Sequence, residues 1–416
     1  MNAIVAKYRF AHAIPAFAAA VWLSMAAVPA DVHGAEVLKI GYVGGISGAC
    51  AGLTPPAIKA MKMAVEEINN AGGMGGRRVE FIIRDSKTKP DEGAKQARDL
   101  NVSDKVEALV GVCSSSVFLS VNAVSKEYNV PLFSAQSGTH KTTIDFGHPA
   151  VFQTHPNTIT EGNALAEFTA LKGWKRIVTM GLDYEWGRTT VAVYEARLKQ
   201  LNPSVKITRQ LWPKIGETNM TSYITAALAD NPDAVMAVMF GVSANSLIKQ
   251  GKSYGLFSRT NVLTFLSTET LMDMAAELPD GVYGWSRGPA YALKTEKGAD
   301  FVRRYSAKYD GEFPTDWAVL GYDEMLYIKA ILDRTNGNTD AVTMSNAAAS
   351  FTYDSLRGPI RSRTIDNTVN APSYIGVTKK IPEYPFPVLV DVEIIPGDKL
   401  LPTEAEVKQM RAEAAK

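Results

Sequence analysis

The run Gly111-Val112-Cys113-Ser114-Ser115-Ser116 follows the apolar stretch Val106 to Val110 and leads into the helical-looking segment Val117 to Tyr128. A strand that turns into a helix through serines gathers hydroxyls and backbone N–H groups at one point. The first N–H groups of a helix lack partners within it and carry the positive end of its dipole, so such a point can hold a carboxylate. The next strand, Val130 to Phe133, runs into a second small polar loop, Ser134-Ala135-Gln136-Ser137-Gly138-Thr139-His140. Two hydroxyl-bearing loops thus converge at the end of a parallel sheet where open α/β folds take their ligands. Ser and Thr in such places also serve as plain helix N-caps, and the sequence leaves that alternative open.

Three later features bear on the same cleft. Asp183-Tyr184-Glu185-Trp186-Gly187 follows the strand Arg176 to Met180, where its aromatics either project into a cleft or close over a core. Thr268-Glu269 follows the strand ending at Leu266, and an acid there either faces the cleft or complements a helix dipole. Phe240-Gly241 ends another strand, where backbone can approach a ligand closely.

Catalytic constellations are sparse. The histidines are His12, His33, His140, His148 and His155; none stands at zinc-ligand spacing, so neither a metal nor a cofactor is expected. Gly41, Gly44, Gly45 and Gly48 do not match Gly-x-Gly-x-x-Gly, and neither serine loop forms the Gly-x-Ser-x-Gly elbow. Ser86-Lys87-Thr88-Lys89 follows a strand instead of opening a helix and reads as a surface turn. The rival of another class is an exported hydrolase-like α/β enzyme with Ser114 or Ser115 as nucleophile, which requires His140 as its base.

The elements that position these loops follow from the pattern. Strand-like and helix-like segments alternate from Glu36 to about Ala330, the signature of parallel sheet covered on both faces. Val37 to Val43, Val79 to Ile83 and the serine-loop strand make a first doubly wound lobe. In the helix opened by Pro55-Pro56, Ile58, Met61, Val65 and Ile68 share one face, and Gly72-Gly73 ends it. After Val151 to Thr154 the pattern restarts, with strands Arg176 to Met180, Val205 to Leu211, Ala234 to Phe240 and Val262 to Leu266. Two α/β lobes in tandem imply a hinge and a ligand cleft between them. Helices Lys297 to Tyr309 and Trp317 to Leu332 pack back on one lobe, and the tail ends in short strands such as Val388 to Ile395 and a polar, frayed helix from Thr403.

Composition bounds the partners. The 416 residues carry 44 basic and 43 acidic side chains, a balance that offers no electrostatic case for nucleic acid or an acidic membrane surface. Lys7 and Arg9 precede the apolar, alanine-rich stretch Ala11 to Ala30, with small residues at Ala30 and Ala35. This reads as an export signal cleaved near residue 30 or 35, too short and alanine-rich for a stable span. An oxidising compartment permits a disulfide between the two cysteines, Cys50 and Cys113, provided that their Cα atoms come within about 7 Å.

Taken in order, several of these segments resemble the leucine/isoleucine/valine-binding proteins, the type I periplasmic solute receptors of branched-chain amino acid ABC transporters. The likeness runs over roughly Leu38 to Val377. It rests on Ile40-Gly41-Tyr42, Ala64 to Asn69 before Ala71-Gly72-Gly73, Cys113 to Ser116, Asp183 to Gly187, Lys249 to Leu256, and Gly358-Pro359-Ile360. The resemblance implies that Ser114, with neighbouring Cys113 and Ser115, holds a ligand carboxylate. It implies that Ser137, Gly138 and Thr139 with Glu269 hold an ammonium, and that an aromatic at Trp186 closes over the side chain. A zwitterion does need an anion nest and a carboxylate on opposite sides of one pocket. The family's partner for Cys113 falls at Thr88 or a neighbour, so that particular bridge is absent.

The expected protein is therefore an exported periplasmic receptor, monomeric and not membrane-embedded. It would capture a branched-chain or related amino acid by hinge closure and deliver it to permease subunits, with an amide, urea or aromatic acid as alternative solutes. The expected fold is the type I periplasmic binding fold, with a signal over 1–35, the first lobe over 36–154 and 285–357, and the second over 155–284 and 358–416.

Overall fold

The computed structural model describes residues 37–416, and the export signal expected over 1–35 lies outside the described residues. Strands β1 (Leu38–Gly44), β2 (Val79–Asp85), β3 (Ala108–Gly111), β4 (Leu132–Ser134) and β5 (Val151–Gln153) form one sheet in the order β2-β1-β3-β4-β5, parallel throughout. Strands β6 (Arg176–Gly181), β7 (Lys206–Leu211), β8 (Ala234–Val238), β9 (Asn261–Phe265) and β10 (Tyr283–Ser286) form a second parallel set. Between them and the tail lies a small hairpin of β11 (Tyr353–Ser355) and β12 (Gly358–Ile360). Strands β13 (Ser373–Lys379) and β14 (Val388–Ile395) then complete the second sheet, in the order β14-β13-β10-β9-β8-β6-β7.

Sequence patterning and structure part company at three places in the sheets. The second sheet is not wholly parallel: β13 runs antiparallel to β10 and to β14. Strands β5 and β10 are short, and their three or four residues show no period. The strand expected to end at Phe240-Gly241 stops at Val238, and Phe240 is instead the N-cap of the helix Gly241–Ser253, with Gly241 at a φ of +56°.

The helix Thr54–Asn70 buries Ile58, Met61, Val65 and Ile68 as its spacing requires, and it stops where Gly73 donates back to the Ile68 carbonyl at a φ of +85°. Packed against it is the helix Asp316–Arg334, close enough that a Cβ at Gly321 would touch the Ala57 carbonyl. The chain therefore visits the first lobe, crosses to the second through 154–157, returns through 287–295, and crosses again through 361–372. Among the described residues no helix is long and apolar enough to cross a membrane.

The tail helix is not frayed. Glu404–Ala414 opens with a reciprocal cap between Thr403 and Glu406, and Val407 is fully buried beside Ile144 and Ile159.

Candidate solute-binding site

Loops at the C-terminal ends of both sheets meet around one pocket. From the first lobe come Leu53, Cys113, Ser115, Gln136 and Gly138, with Trp317 from the helix packed on it. From the second lobe and its exit come Tyr184, Trp186, Phe240, Phe265 and Arg287. Two of these loops are joined covalently, because Cys50 and Cys113 form a disulfide with their Cα atoms 6.3 Å apart. Cys50 thus supplies the partner that the resemblance leaves Cys113 without. Cys113 offers no thiol, and its loop and the turn that carries Leu53 are held together.

The pocket is polar at one end and aromatic over the rest. At the polar end Ser115 Oγ accepts from the Thr139 N–H at 3.2 Å and from the Ser137 hydroxyl at 3.4 Å, which leaves its own proton free to donate. Gln136 is buried with its Oε1 accepting from the Tyr42 hydroxyl at 2.9 Å, and its Nε2 is buried without a partner. Arg287 spends three of its five N–H groups inside the protein: Nε and Nη2 reach Glu161 at 2.7 and 3.1 Å, and Nη1 reaches the Gln136 carbonyl at 2.6 Å. Its guanidinium carbon lies 5.6 Å from the ring centres of Trp186 and Phe265 and 5.7 Å from that of Trp317. Glu161 also accepts from Trp186 Nε1 at 2.8 Å, so one buried carboxylate orients both the cation and the ring beneath it. Gly138 is obligatory here, since a Cβ would stand 2.5 Å from Arg287 Nη2 and 2.7 Å from Trp186.

Of the residues expected at the site, the structure brings Cys113, Ser115, Gly138, Trp186 and Phe240 to the pocket. It does not bring Ser114, Ser137, Thr139, Gly241 or Glu269 to the lining. Ser114 caps the helix Ser115–Tyr128 with its backbone. Ser137 backs Ser115, while the Thr139 hydroxyl crosses to Glu185 at 2.9 Å on the other lobe. Gly241 opens a helix, and a Cβ there would come no closer than 3.7 Å to anything, at the Ala49 carbonyl. Glu269 stands furthest from its expected role. Its carboxylate oxygens are buried without a hydrogen-bond partner, and burial, then the charge of Asp316, pushes its acid up to about 8. Glu269 lies outside the pocket lining.

Arg287, Phe265 and Trp317 escape a search for serine loops. The available signal is an arginine directly after the apolar strand β10 and before Gly288-Pro289. His140, the base that the rival enzyme would require, bonds Thr158 Oγ1 through Nδ1 at 2.6 Å, and burial, with the nearby Lys141 charge, pushes its imidazole down to about 4. Among the described residues no group of His, Cys, Asp or Glu could hold a metal ion.

A family model described as periplasmic binding protein matches residues 37–380. The chain belongs to the periplasmic binding protein family. This binding protein is 22% identical over 302 residues to glutamate receptor 3.4 of Arabidopsis thaliana, which covers 70% of this chain and 30% of that receptor. It thus spans less than a third of that relative's length. Among the solved structures that match over most of both chains are two solute-binding proteins. One is the solute-binding protein of an ABC transporter from Rhodopseudomonas palustris BisB5 in complex with 3,4-dihydroxybenzoic acid, at a TM-score of 0.75, 21% identity, and coverage of 86% of this chain and 96% of that one. The other is a leucine-binding protein from Thermotoga maritima, at a TM-score of 0.76, 19% identity, and coverage of 87% and 100%. At such identities the likeness speaks for the type I periplasmic binding fold alone.

Proposed function

We propose that this binding protein is the exported solute receptor of an ABC transporter and that its solute is a small carboxylic acid with a flat apolar body, of the benzoate class, handed to a permease. The observation that carries this reading is the lining of the pocket. Its polar end offers only donors, from Ser115 Oγ, Gln136 Nε2 and the two unspent N–H groups of Arg287, and no carboxylate lines it among the described residues. The first N–H groups of the helix Ser115–Tyr128 add to that end. An α-ammonium would enter without a counter-charge, which costs several kcal/mol in a desolvated site. Trp186, Phe240, Phe265 and Trp317 supply faces and edges for a ring. The amino acid implied by the resemblance shares the carboxylate and differs in the ammonium, so the two solutes can be separated directly.

The test is calorimetric titration of the protein with benzoate, 4-hydroxybenzoate and leucine in parallel. Benzoate-class acids should bind at least about tenfold more tightly than leucine, a difference of about 1.4 kcal/mol. Tighter binding of leucine than of either acid would overturn the solute assignment and leave the receptor reading standing.

A further inference from the structure

The loop that carries Gln136 and Gly138 continues as a long excursion from Ser134 to Ala150, and its far side is gripped by an element outside the family match. That match ends at residue 380. Arg411, on the helix Glu404–Ala414, donates from Nε to the Ile144 carbonyl at 3.0 Å and from Nη2 to the Thr143 carbonyl at 3.2 Å. The same Nη2 donates to the Ile365 carbonyl at 2.8 Å, in the third crossing between the lobes. A Cβ at Gly147 would meet Arg411 Nη2 at 2.8 Å, so the fit is close on this side too. One guanidinium thus joins the ligand loop to the third crossing.

Independent contacts hold the same three parts together. Thr368 Oγ1 in the crossing donates to Thr143 Oγ1 in the loop at 3.0 Å, and Thr368 bridges Gln153 at the end of β5. Gln153 Nε2 in turn donates to the Ser137 and Thr139 carbonyls at 2.9 and 3.1 Å. Arg363 in the crossing bonds the Pro402 carbonyl just before the tail helix, and Asn370 donates to Asp398 at 2.8 Å. Val407 closes an apolar contact with Ile144 and Ile159.

The geometry points to Arg411 as a positioning residue: it straps the C-terminal helix across the ligand loop and the third crossing, so that the placement of Gln136 and Gly138 depends on the tail. Arg411 touches no pocket atom and acts through the Thr143 and Ile144 carbonyls. Its effect on affinity rests on the carboxylate reading above, whereas its effect on loop order does not.

The test uses Arg411→Ala and, as a second variant with the charge kept, Arg411→Lys, beside Lys408→Ala on the exposed face of the same helix. Hydrogen exchange of the ligand-free proteins is read at the Ile144, Phe146 and Gly147 amides, which are bonded within the loop, and at strands β6 and β8. Arg411→Ala should speed loop exchange by about tenfold or more while the strands keep wild-type protection, with Arg411→Lys between and Lys408→Ala unchanged. Benzoate affinity should fall in the same order. Unchanged loop exchange in Arg411→Ala overturns the strap whatever benzoate does. Faster exchange everywhere, or failure of both arginine variants to fold, overturns it too, because Arg411 would then support the whole molecule and not the loop. Wild-type protein that ignores benzoate while Arg411→Ala loosens only the loop overturns the solute reading and upholds the strap.

Discussion

At the scale of single residues, Arg287 and Glu269 carry opposite lessons about buried charge. Arg287 is buried but paired, fork to fork, with Glu161 and stacked among rings, so its fixed plane is what a ligand would meet. Arg287→Lys keeps the positive charge beside Glu161 but replaces the fork by a point donor. Titration should then show benzoate affinity down by about tenfold or more, with circular dichroism unchanged. The Glu269 carboxylate is buried without an opposite charge beside it. Its acid is raised from the ordinary 4.5 to about 8, by burial first and Asp316 second, so the folded protein holds a proton that the unfolded chain has already lost. Its contribution is therefore intact below pH 4.5 and is lost as pH rises toward 8, by up to about 1.4 kcal/mol per pH unit. Glu269→Gln should flatten the decline in melting temperature between pH 5 and 8 and leave benzoate affinity alone. A steep decline retained in the variant would show that Glu269 does not titrate in this window.

Among the elements, the disulfide matters most for the pocket. Cys50 follows β1 and Cys113 follows β3, 63 positions apart in sequence, so the bridge closes a long loop across the first sheet. Opening it by Cys50→Ser with Cys113→Ser should cost about 2 to 4 kcal/mol in urea unfolding. Because Leu53 and Ser115 sit just beyond the two sulfurs, the double variant should also bind benzoate more weakly at temperatures where it is fully folded. Equal affinity would mean that the strands alone set the two loops.

For the molecule as a whole, closure is the quantity to measure. Glu185 of the second lobe accepts from Thr139 at 2.9 Å and Lys141 at 3.1 Å of the first lobe's loop, and from Thr189 of its own helix. Burial pushes its acid up, but these hydrogen bonds outweigh burial and hold it below its ordinary value, so the latch is set above pH 4.5 and released in acid. Small-angle scattering should give a smaller radius of gyration with saturating benzoate than without. Glu185→Gln should weaken binding a few-fold, by about 1 kcal/mol, without touching the pocket lining. Identical radii with and without ligand would count against hinge closure.

Alternation of apolar strands with amphipathic helices was enough to determine the two α/β lobes, and the helix boundaries marked by Pro55-Pro56 and Gly72-Gly73 were legible because they rest on local backbone chemistry. The serine loop was legible for the same reason, since a strand-to-helix turn exposes its N–H groups wherever it occurs. Local pattern does not say which side chains meet across a cleft. Arg287, Phe265 and Trp317 come from segments far apart in the chain, and only the packing of one lobe on the other puts them around one pocket. The same holds for the Cys50–Cys113 bridge, for the antiparallel return of β13, and for the tail helix, whose polar sequence conceals a single buried Val407 and one arginine placed over three carbonyls. Glu269 is the sharpest case: its position after a strand was readable, but whether its carboxylate met solute, solvent or protein depended on what the other lobe laid against it.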